Sequence, residues 1–446
     1  MLPPGPRTPA FWQTYRYLSE PRAYSRAVVA KYGRASRFRV LNGNGLMLAD
    51  PDLAREVFAA DPETFETPPV LRDLFGPHSL LATAGAPHKR QRKLLNPRFH
   101  GSSIKAFVAT MQRVIEKHLG AFQGAADTGG VVVMSAFAQT LTLDIILETV
   151  FGDDARMDRA EGREVLIGLT NALSPSFVFT ALLRTSMFPP WRRFVSRRAV
   201  FDAWVDRIIA ERRAQQTPGS DVLGVMLEAR YEDGSAMADA EIRDQVWTLL
   251  AAGHETTAVA MAWGVYWLLR EPAVLARLRA EVGALGREPA PEALARLPYL
   301  DAIVCETLRI EPIVTDVSRR CRVPLHVGPW TVPQGDVVMV NVGAILDDAA
   351  VFREPERFQP ERFLENSFGA TQFLPFGGGS KRCLGAAFAQ AELAIALATI
   401  ASTWELRLAS DTPERSKRRN ITMGPGTGVR VRVLAARDAA TGATTS

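Results

Sequence analysis

The stretch from Glu241 to Arg270 constrains the fold more than any other part of this chain. It has apolar residues at helical spacing and is nearly apolar through its second half. A helix that is apolar on almost all of its faces has to be buried by other elements on most sides. The sequence therefore predicts a long central helix inside a large, mainly α-helical body.

The other segments predict more helices than strands. Several stretches carry an apolar residue every three to four positions, and Pro51 begins one of them, where the first turn of a helix tolerates proline. Strands are predicted at 35–50, where an alternating pattern surrounds an Asn-Gly pair, and again at 323–342 and 428–435. The predicted fold class is mainly α with a smaller β-rich part.

Chain length does not by itself divide the protein into domains. The 446 residues exceed the size of about 250–300 residues at which single hydrophobic cores usually stop growing. However, no linker, charge block or internal repeat marks a boundary, and hydrophobic residues make up 47% of the chain. We expect a single catalytic domain over residues 1–435, followed by an Ala/Thr/Gly-rich disordered tail at 436–446.

Charge and cysteine content argue against several functional classes. The excess of 53 basic over 48 acidic residues is too diffuse to indicate nucleic-acid binding. Cys305, Cys321 and Cys383 have neither metal-site spacing nor a paired framework, which favours a reducing compartment. We find no apolar run of the ~18 residues that span a membrane and no signal-peptide core. The expectation is a cytoplasmic monomer without a membrane anchor.

Cys383 ends a glycine-rich run, residues 376–385, and a helical sequence follows it at once. Unpaired backbone N–H groups and the positive end of a helix stabilise a thiolate relative to a thiol. Glycines let the backbone close around a bulky group, and Phe376 would cover one side of it. A lone thiolate on such a loop suits the axial ligand of a haem. The alternative is a half-buried structural cysteine.

This run resembles the haem-binding loop of the cytochrome P-450 family of haem-thiolate monooxygenases, Phe-x-x-Gly-x-Arg-x-Cys-x-Gly. Phe376, Gly379, Cys383 and Gly385 match the pattern, and Lys381 replaces the usual arginine. The resemblance implies the P-450 fold, with haem b held between the long helix and this loop. It also implies that Cys383 binds the iron and that the other four residues contact the cofactor.

The long helix contains a second matching motif, Ala/Gly-Gly-x-Asp/Glu-Thr-Thr/Ser, which begins at Ala252. Glycine and threonine are poor helix formers, and threonine hydroxyls can bond the preceding carbonyls and open the helix locally. By resemblance, Ala252 and Gly253 lie against the haem, Glu255 relays protons and Thr256 hydrogen-bonds the bound dioxygen. His254 occupies the variable position, where we expect a structural role.

Glu306 and Arg309 match the family's Glu-x-x-Arg motif, whose spacing places both side chains on one helical face. Such pairs are common on solvated helices, so the motif gains weight only from its position between the long helix and the cysteine loop. Arg362 lies in a stretch that resembles the family's partner motif. The resemblance implies a buried, structural network of these three residues.

Four basic residues are candidates for the two haem propionates, which are carboxylates and need cationic or donor partners. His88 and Arg92 lie four apart on a predicted helix and resemble the family's propionate-binding pair. Arg319 is placed where the family has another such arginine, with Arg320 as the close alternative. Lys381 keeps the positive charge of the arginine that it replaces but lacks the planar fork.

Four apolar segments match the family's pocket-lining regions, and the resemblance implies an apolar substrate of medium size, such as a terpenoid, steroid or fatty-acid-like compound. The alternative for each segment is ordinary core. The predicted pocket residues are Val70, Leu74, Phe75, Phe177, Phe179, Ile313, Val314 and Ile421.

The function that the resemblance implies is insertion of one oxygen atom of O₂ into such a substrate. Because no flavin or iron–sulfur domain is fused, NAD(P)H-derived electrons would come from a separate ferredoxin or flavodoxin-type protein. A basic surface of Lys89, Arg90, Lys381 and Arg382 is expected to steer that donor. The alternatives are a haem-thiolate peroxygenase or isomerase, which would usually have altered the Glu-Thr pair, and a non-enzymatic haem sensor.

Overall fold

The helix predicted at the centre of the fold is Asp239–Arg270, and its second half is almost entirely buried. Trp247 and Trp263 on this helix have no exposed surface. Glycine at position 264 allows another helix to pack closely, because a Cβ at Gly264 would lie 2.7 Å from the side chain of Leu397. The prediction of a long, buried central helix is therefore confirmed.

Helices form most of the regular structure. The computed structural model describes residues 2–41, 43–99, 102–152, 158–174, 176–177, 180, 183–215, 219, 221–286, 289–419 and 421–437. The α-helices in this part of the chain are α1 (Ala10–Ser19), α2 (Pro21–Tyr32), α3 (Pro51–Ala59), α4 (Pro69–Phe75), α5 (Gly85–Leu95), α6 (Ser102–Thr128), α7 (Met134–Phe151), α8 (Arg159–Thr170), α9 (Pro189–Gln215), α10 (Val222–Glu228), α11 (Asp239–Arg270), α12 (Pro272–Gly283), α13 (Pro291–Leu294), α14 (Pro298–Ile310), α15 (Val342–Leu346), α16 (Arg362–Glu365) and α17 (Ala386–Thr403).

The strands form a smaller part beside the helices, as predicted. They are β1 (Ala35–Val40), β2 (Gly43–Leu48), β3 (Phe65–Glu66), β4 (Val131–Val133), β5 (Val317–Cys321), β6 (Leu325–Val327), β7 (Trp330–Val332), β8 (Val337–Val340), β9 (Trp404–Leu408), β10 (Ser416–Arg419), β11 (Thr422–Pro425) and β12 (Arg430–Ala436). The largest sheet has the order β1-β2-β8-β5-β3, in which only β2 and β8 run parallel. The described residues also form a β4-β12-β9 sheet and the pairs β6-β7 and β10-β11.

Local sequence signals account for several element boundaries. The alternating stretch around the Asn-Gly pair forms the predicted antiparallel hairpin of β1 and β2, with Val40 opposite Gly43. Helix α3 begins at Pro51, and the side chain of Asp50 accepts hydrogen bonds from the N–H groups of Asp52 and Leu53. Such a cap satisfies backbone donors that the first turn leaves unpaired.

Two expectations from the sequence are wrong. Ala436 pairs with Trp404 in the β12-β9 ladder, and the N–H of Arg437 donates to the carbonyl of Thr403 at 2.9 Å. These two residues therefore belong to the folded domain, and the rest of the predicted tail lies outside the described residues. In addition, α7 and α17 are long and apolar enough to cross a membrane, with mean hydropathies of 1.2 and 1.4. In these two helices 78% and 72% of the residues are buried inside the protein, as in core helices.

The Glu-x-x-Arg motif on α14 forms a buried ionic network. Arg309 donates to both oxygens of the Glu306 carboxylate, at 2.7 and 2.8 Å, and neither side chain is exposed. Arg362 donates to Glu306 Oε1 at 3.1 Å, and the N–H of Gln359 reaches the same oxygen at 2.9 Å. The remaining guanidinium donors of Arg309 bind the carbonyls of Leu346 and Arg357. The structure thus brings together the three residues predicted to form this network.

Replacing Glu306 with glutamine should destabilise the fold strongly, because two buried guanidinium groups would lose their shared counter-charge. Breaking a buried ion pair on one side costs about 3–5 kcal/mol. The matched control is Glu354→Gln, since Glu354 pairs with Arg357 at the same three-residue spacing but on the surface, where such pairs contribute about 0–1 kcal/mol. Guanidinium unfolding followed by circular dichroism measures both. Equal losses in the two variants would contradict a dominant role for this network.

Candidate active site

A cavity of ≈ 380 Å³ lies between α11 and the glycine-rich loop that ends at Cys383. Ala252, Gly253 and Thr256 form part of its wall on the α11 side, and Cys383 faces it from the loop. Most of the remaining lining is apolar, and basic groups are concentrated on one side. The structure therefore brings the two motifs of the sequence to one cavity.

The glycines of the cysteine loop serve a close contact with helix α3. Gly379 adopts a φ of +65°, and a Cβ on it would lie 2.7 Å from the backbone oxygen of Phe58. A Cβ on Gly378 would lie 2.4 Å from the Phe58 ring. Gly379 is not part of the cavity lining, and Phe58 alone already requires its small size. Its contact with the cofactor stays a prediction. Phe376 and Gly385 do line the cavity.

The surroundings of Cys383 do not favour a thiolate in the protein alone. Burial raises the pKa of the Cys383 thiol, whereas a backbone hydrogen bond from Gly385 and the charges of Arg92 and Arg382 lower it. The local donors lower the pKa of the thiol in the expected direction, but burial outweighs them. The side chain is exposed to the cavity, and coordination to a metal ion would remove the thiol proton outright.

Three of the predicted cationic residues line the cavity: His88, Arg92 and Lys381. Arg92 donates to the carbonyls of Ser380 and Arg382, at 3.1 and 2.6 Å. The ammonium of Lys381 donates to two further carbonyls. Within the described residues none of the three forms a salt bridge, so the charges of Arg92 and Lys381 face the cavity without a carboxylate partner.

Arg319 on β5 joins this group, whereas Arg320 does not. Arg320 pairs with Glu66 across the β3-β5 ladder at 2.7 Å, so it is already neutralised. The guanidinium of Arg319 donates to the neighbouring carbonyl of Ser318 at 3.1 Å. Arg319 is not part of the cavity lining itself, but its charge lowers the pKa values of His88 and Lys381.

The electrostatics of these four groups test whether a haem fits. Burial, then Lys381, Arg92 and Arg319, lower the pKa of His88 to about 3. Burial, followed by the charges of Arg319 and Arg92, lowers the pKa of Lys381 to about 7. Burial lowers the pKa of Arg319 to about 10. Each group is thus poorly solvated and lacks a counter-charge. Two propionate carboxylates would supply that charge, so the donor set fits a haem.

The α11 motif places its acid and its threonine on different sides. Thr256 lines the cavity, and its hydroxyl donates to the carbonyl of Ala252 at 2.7 Å. Glu255 does not line the cavity: its carboxylate accepts a hydrogen bond from Thr422 at 3.1 Å. Burial raises the pKa of Glu255, while Thr422 and Arg419 lower it. The hydroxyl bonds form as predicted, but the expected opening does not interrupt the helix.

His254, at the variable position of the motif, points away from the cavity lining and is 7% exposed. Its Nδ1 atom has no hydrogen-bond partner among the described residues. Burial lowers the pKa of His254 to about 4, so the imidazole is neutral at pH 7. These features agree with the structural role that was expected.

Of the eight predicted pocket residues, Ile313 and Val314 line the cavity. Leu74 and Phe75 are instead part of the hydrophobic core, where Phe75 stacks on Trp247 with ring centroids 6.0 Å apart. Neither residue is part of the cavity lining, so their role in the substrate pocket stays a prediction.

The other predicted pocket residues also lie elsewhere. Phe177 is fully buried in an aromatic cluster with Trp191 and Phe194. Val70 packs against the main core, and Ile421, 49% exposed, lies in the turn between β10 and β11. None of these three lines the cavity. Phe179 lies outside the described residues.

Sequence reasoning missed lining residues that lie close to those it named. Leu80 and Leu81 follow shortly after Leu74 and Phe75, and they form part of the cavity wall. Thr248 and Leu249 on α11 also line it, one helical turn before Ala252 and Gly253. Helical periodicity counted back from the α11 motif could have identified this second pair. No comparable signal distinguishes Leu80 and Leu81 within their irregular segment.

Comparisons with known proteins support the geometry. The family model described as cytochrome P-450 matches residues 3–429. The chain is 33% identical over 443 residues to cytochrome P-450 138 of Mycobacterium tuberculosis, covering 96% of each chain. It is 34% identical over 452 residues to cytochrome P-450 135B1 of Mycobacterium bovis, covering 98% of this chain and 92% of the relative.

Two solved structures share the fold. The cyanobacterial CYP120A1, solved with bound retinoic acid, superposes with a TM-score of 0.86 at 23% identity, over 98% of this chain and 100% of the other. The haem domain of cytochrome P-450DA superposes with a TM-score of 0.85 at 25% identity, over 98% of both chains. The predicted fold, mainly α with the P-450 arrangement, is confirmed.

The low pKa of His254 makes the protein sensitive to acid. Because its folded-state pKa is below the ordinary value, the unfolded chain binds the proton more readily, and stability falls as pH drops below about 6.5. Between pH 7 and pH 5 this histidine should remove about 2 kcal/mol from the free energy of unfolding. Urea unfolding at both pH values should show a smaller pH effect in His254→Gln. The control His326→Gln changes an exposed histidine and should behave like the wild type, whereas identical pH slopes in all three would contradict the assignment.

Proposed function

The chain belongs to the cytochrome P-450 family of haem-thiolate monooxygenases, and we propose that it inserts one oxygen atom of O₂ into an apolar organic substrate of medium size. The observation that supports this most is the meeting of Cys383, Thr256 and the cation group at one largely apolar cavity. As a family member it uses haem iron, O₂ and electrons from a partner. The individual residue roles and the substrate class are our proposals.

Cys383 is proposed as the haem ligand, and His88, Arg92, Arg319 and Lys381 as the partners of the propionates. When bound, the haem supplies the iron at which dioxygen is activated. Cys383 is suited to the role because it is a free cysteine that lines the cavity, whereas Cys305 and Cys321 are buried elsewhere. The protein holds positive charge at one side of the cavity, which fixes the orientation in which a dianionic porphyrin edge can enter.

Thr256 and Glu255 are proposed to deliver protons. Since the Thr256 hydroxyl donates its hydrogen to Ala252, its oxygen remains an acceptor toward the cavity and can hold a water molecule there. Glu255 lies behind this wall, and its raised pKa keeps the carboxyl closer to its protonated form. A proton would pass between them through water or by rotation of the Glu255 side chain away from Thr422.

The lining supports an apolar substrate such as a terpenoid, steroid or fatty-acid-like compound. Leu80, Leu81, Leu249, Ile313 and Val314 contribute aliphatic surface, and no acidic residue is part of the described lining. Burial at ~25 cal/mol per Å² of apolar area would supply the binding energy. A pocket of this kind discriminates weakly between close homologues, because one methylene contributes only about 1–3 kcal/mol.

A peroxide-driven peroxygenase or an isomerase is the second candidate, and a non-enzymatic sensor the third. The intact Glu255 and Thr256 pair favours the monooxygenase, since neither alternative requires a proton-delivering acid and hydroxyl beside the cavity. Turnover that depends on O₂ and an electron donor separates the first function from the other two.

Electrons are proposed to come from NAD(P)H through a ferredoxin or flavodoxin-type protein. Two of the four basic side chains expected to form its docking surface are engaged in other contacts. Arg90 pairs with Asp233 at 3.1 Å and covers the ring of Tyr231, and Lys381 is bound to carbonyls. Lys89 and Arg382 remain exposed on the cysteine side. We also infer a cytoplasmic monomer, in keeping with three free cysteines and the burial of both long apolar helices.

Thr256→Ala should retain haem and substrate binding but divert reduced oxygen to hydrogen peroxide, because alanine cannot hold the proton-donating water. Product formed per NAD(P)H oxidised is the measurement, and a fall of about tenfold is expected, smaller than the ~10²–10⁴-fold that a positioned proton donor contributes to a reaction rate. The same yield of product per NAD(P)H should also fall in Glu255→Gln. The matched control is Thr140→Ala on α7, whose hydroxyl bonds the carbonyl of Ala136 in the same way but is not part of the cavity lining. Unchanged coupling in both Thr256→Ala and Glu255→Gln would exclude the relay.

The rate of reduction by an acidic ferredoxin should fall as salt increases, because screening weakens steering between opposite charges. Lys89→Glu and Arg382→Glu should lower this rate at low salt and flatten its salt dependence. The control is Arg407→Glu. Arg407 is exposed on β9, at the opposite end of α17 from Cys383, and the 18 residues of α17 make that helix roughly 27 Å long. Reduction rates that do not change with salt, or that fall equally in Arg407→Glu, would show that the donor docks elsewhere.

A further inference from the structure

Lys381 connects the cysteine loop to the chain segment between α4 and α5. Its ammonium donates to the carbonyl of Leu80 at 3.0 Å and also to the carbonyl of Thr83. The residues between the two helices, 76–84, are called the 76–84 segment below. Leu80 and Leu81 of this segment line the cavity, so the position of Lys381 influences the cavity wall as well as the haem loop.

The opposite side of the 76–84 segment is attached to α11. The hydroxyls of Ser79 and Thr248 are 2.7 Å apart, and the N–H of Leu80 donates to Gln245 Oε1 at 3.1 Å. The amide of Gln245 in turn donates to the carbonyl of His78 at 2.7 Å. The N–H of His78 also donates to the carboxylate of Asp244 on α11 at 3.1 Å. The segment is therefore held from two directions: by hydrogen bonds to α11, one of them to a carboxylate, and by the ammonium of Lys381 on the cysteine loop.

Lys381 has the donors to hold a carboxylate at the same time. An ammonium carries three N–H groups that point in different directions, and the two carbonyls use two of them. A guanidinium in its place would direct parallel donors at one carboxylate. The replacement of the family's arginine by lysine thus creates a group that can bind the segment and a propionate together. Arg92 and Arg319 lie near enough to repel its charge, and a propionate would offset that repulsion.

We propose that Lys381 is a positioning residue that couples occupancy of a haem propionate to the placement of the cavity wall formed by the 76–84 segment. The proposal rests on the haem binding described above. With a propionate present, the ammonium is held in place and fastens the carbonyls of Leu80 and Thr83. With the carboxylate neutralised, its hold on both carbonyls weakens, and the wall at Leu80 and Leu81 loosens.

The test compares the protein reconstituted with haem and with haem dimethyl ester, in which both propionates are uncharged. Hydrogen exchange is followed at the amides of Leu80, Ala82 and Thr83, which are hydrogen-bonded within the segment or to α11. In the wild type these amides should exchange about tenfold faster with the ester, as expected for the loss of a hydrogen bond to a charged group. In Lys381→Met they should exchange fast with either haem.

Two further variants separate coupling from simple loosening. Ser79→Ala removes one of the hydrogen bonds to α11 and should speed exchange while keeping the difference between the two haems. Lys89→Met removes an exposed lysine from the same side of the protein and should behave like the wild type. Lys381→Arg keeps the positive charge but lacks three N–H groups that point in different directions. The difference in exchange rate between the two haems should therefore be smaller in this variant.

Equal exchange of the wild type with the two haems would overturn the proposal, as would a difference that persists in Lys381→Met. The first comparison uses only the wild type, so it remains decisive if Lys381→Met fails to fold. Failure of the proposed function has another signature: a chain that takes up neither haem gives no Soret band. Loss of this coupling in a protein with a normal Soret band would refute the role of Lys381 alone.

Discussion

Positive charge without a matching negative charge surrounds one side of the cavity that Cys383 faces. Arg92, Arg319 and Lys381 are held by backbone carbonyls rather than by carboxylates, and His88 is kept neutral beside them. Burying such groups is unfavourable unless a counter-ion arrives. A dianionic ligand would complete this arrangement, and the loop, the helix and the cavity wall together leave the space that would hold it.

The buried central helix and the buried ionic network support the same cavity. The buried helix α11 provides one wall, and the ionic network of Glu306, Arg309 and Arg362 stabilises the region behind the cysteine loop. The loop itself is fixed by glycines that press against Phe58. The irregular 76–84 segment lies between these supports: Lys381 of the cysteine loop binds its carbonyls on one side, and α11 holds it on the other.

Motifs with fixed spacing were predictable from the sequence, and side-chain direction was not. The long helix, the early hairpin and the two motifs at Ala252 and Glu306 follow from periodicity, turn chemistry and resemblance. The predicted pocket residues and the observed cavity lining differ where a short helix or an irregular segment decides the direction of a side chain. Phe75 stacks on Trp247, whereas Leu80, five residues later, lines the cavity. The role of Gly379 was missed for a related reason, since its partner Phe58 is distant in sequence. Nor could the sequence show that burial outweighs local donors at the Cys383 thiol.

The central claim is that Cys383 supplies the thiolate bound to the haem iron. Resonance Raman spectroscopy of the haem-loaded protein, with the cysteines labelled by a heavy sulfur isotope, measures the iron–sulfur stretch directly. The account predicts an isotope-sensitive band that persists in the double variant Cys305→Ala and Cys321→Ala, where Cys383 is the sole cysteine. It also predicts that Cys383→Ser abolishes the band. An isotope-sensitive band that survives in Cys383→Ser, or that disappears in the double variant while haem remains bound, would contradict the account.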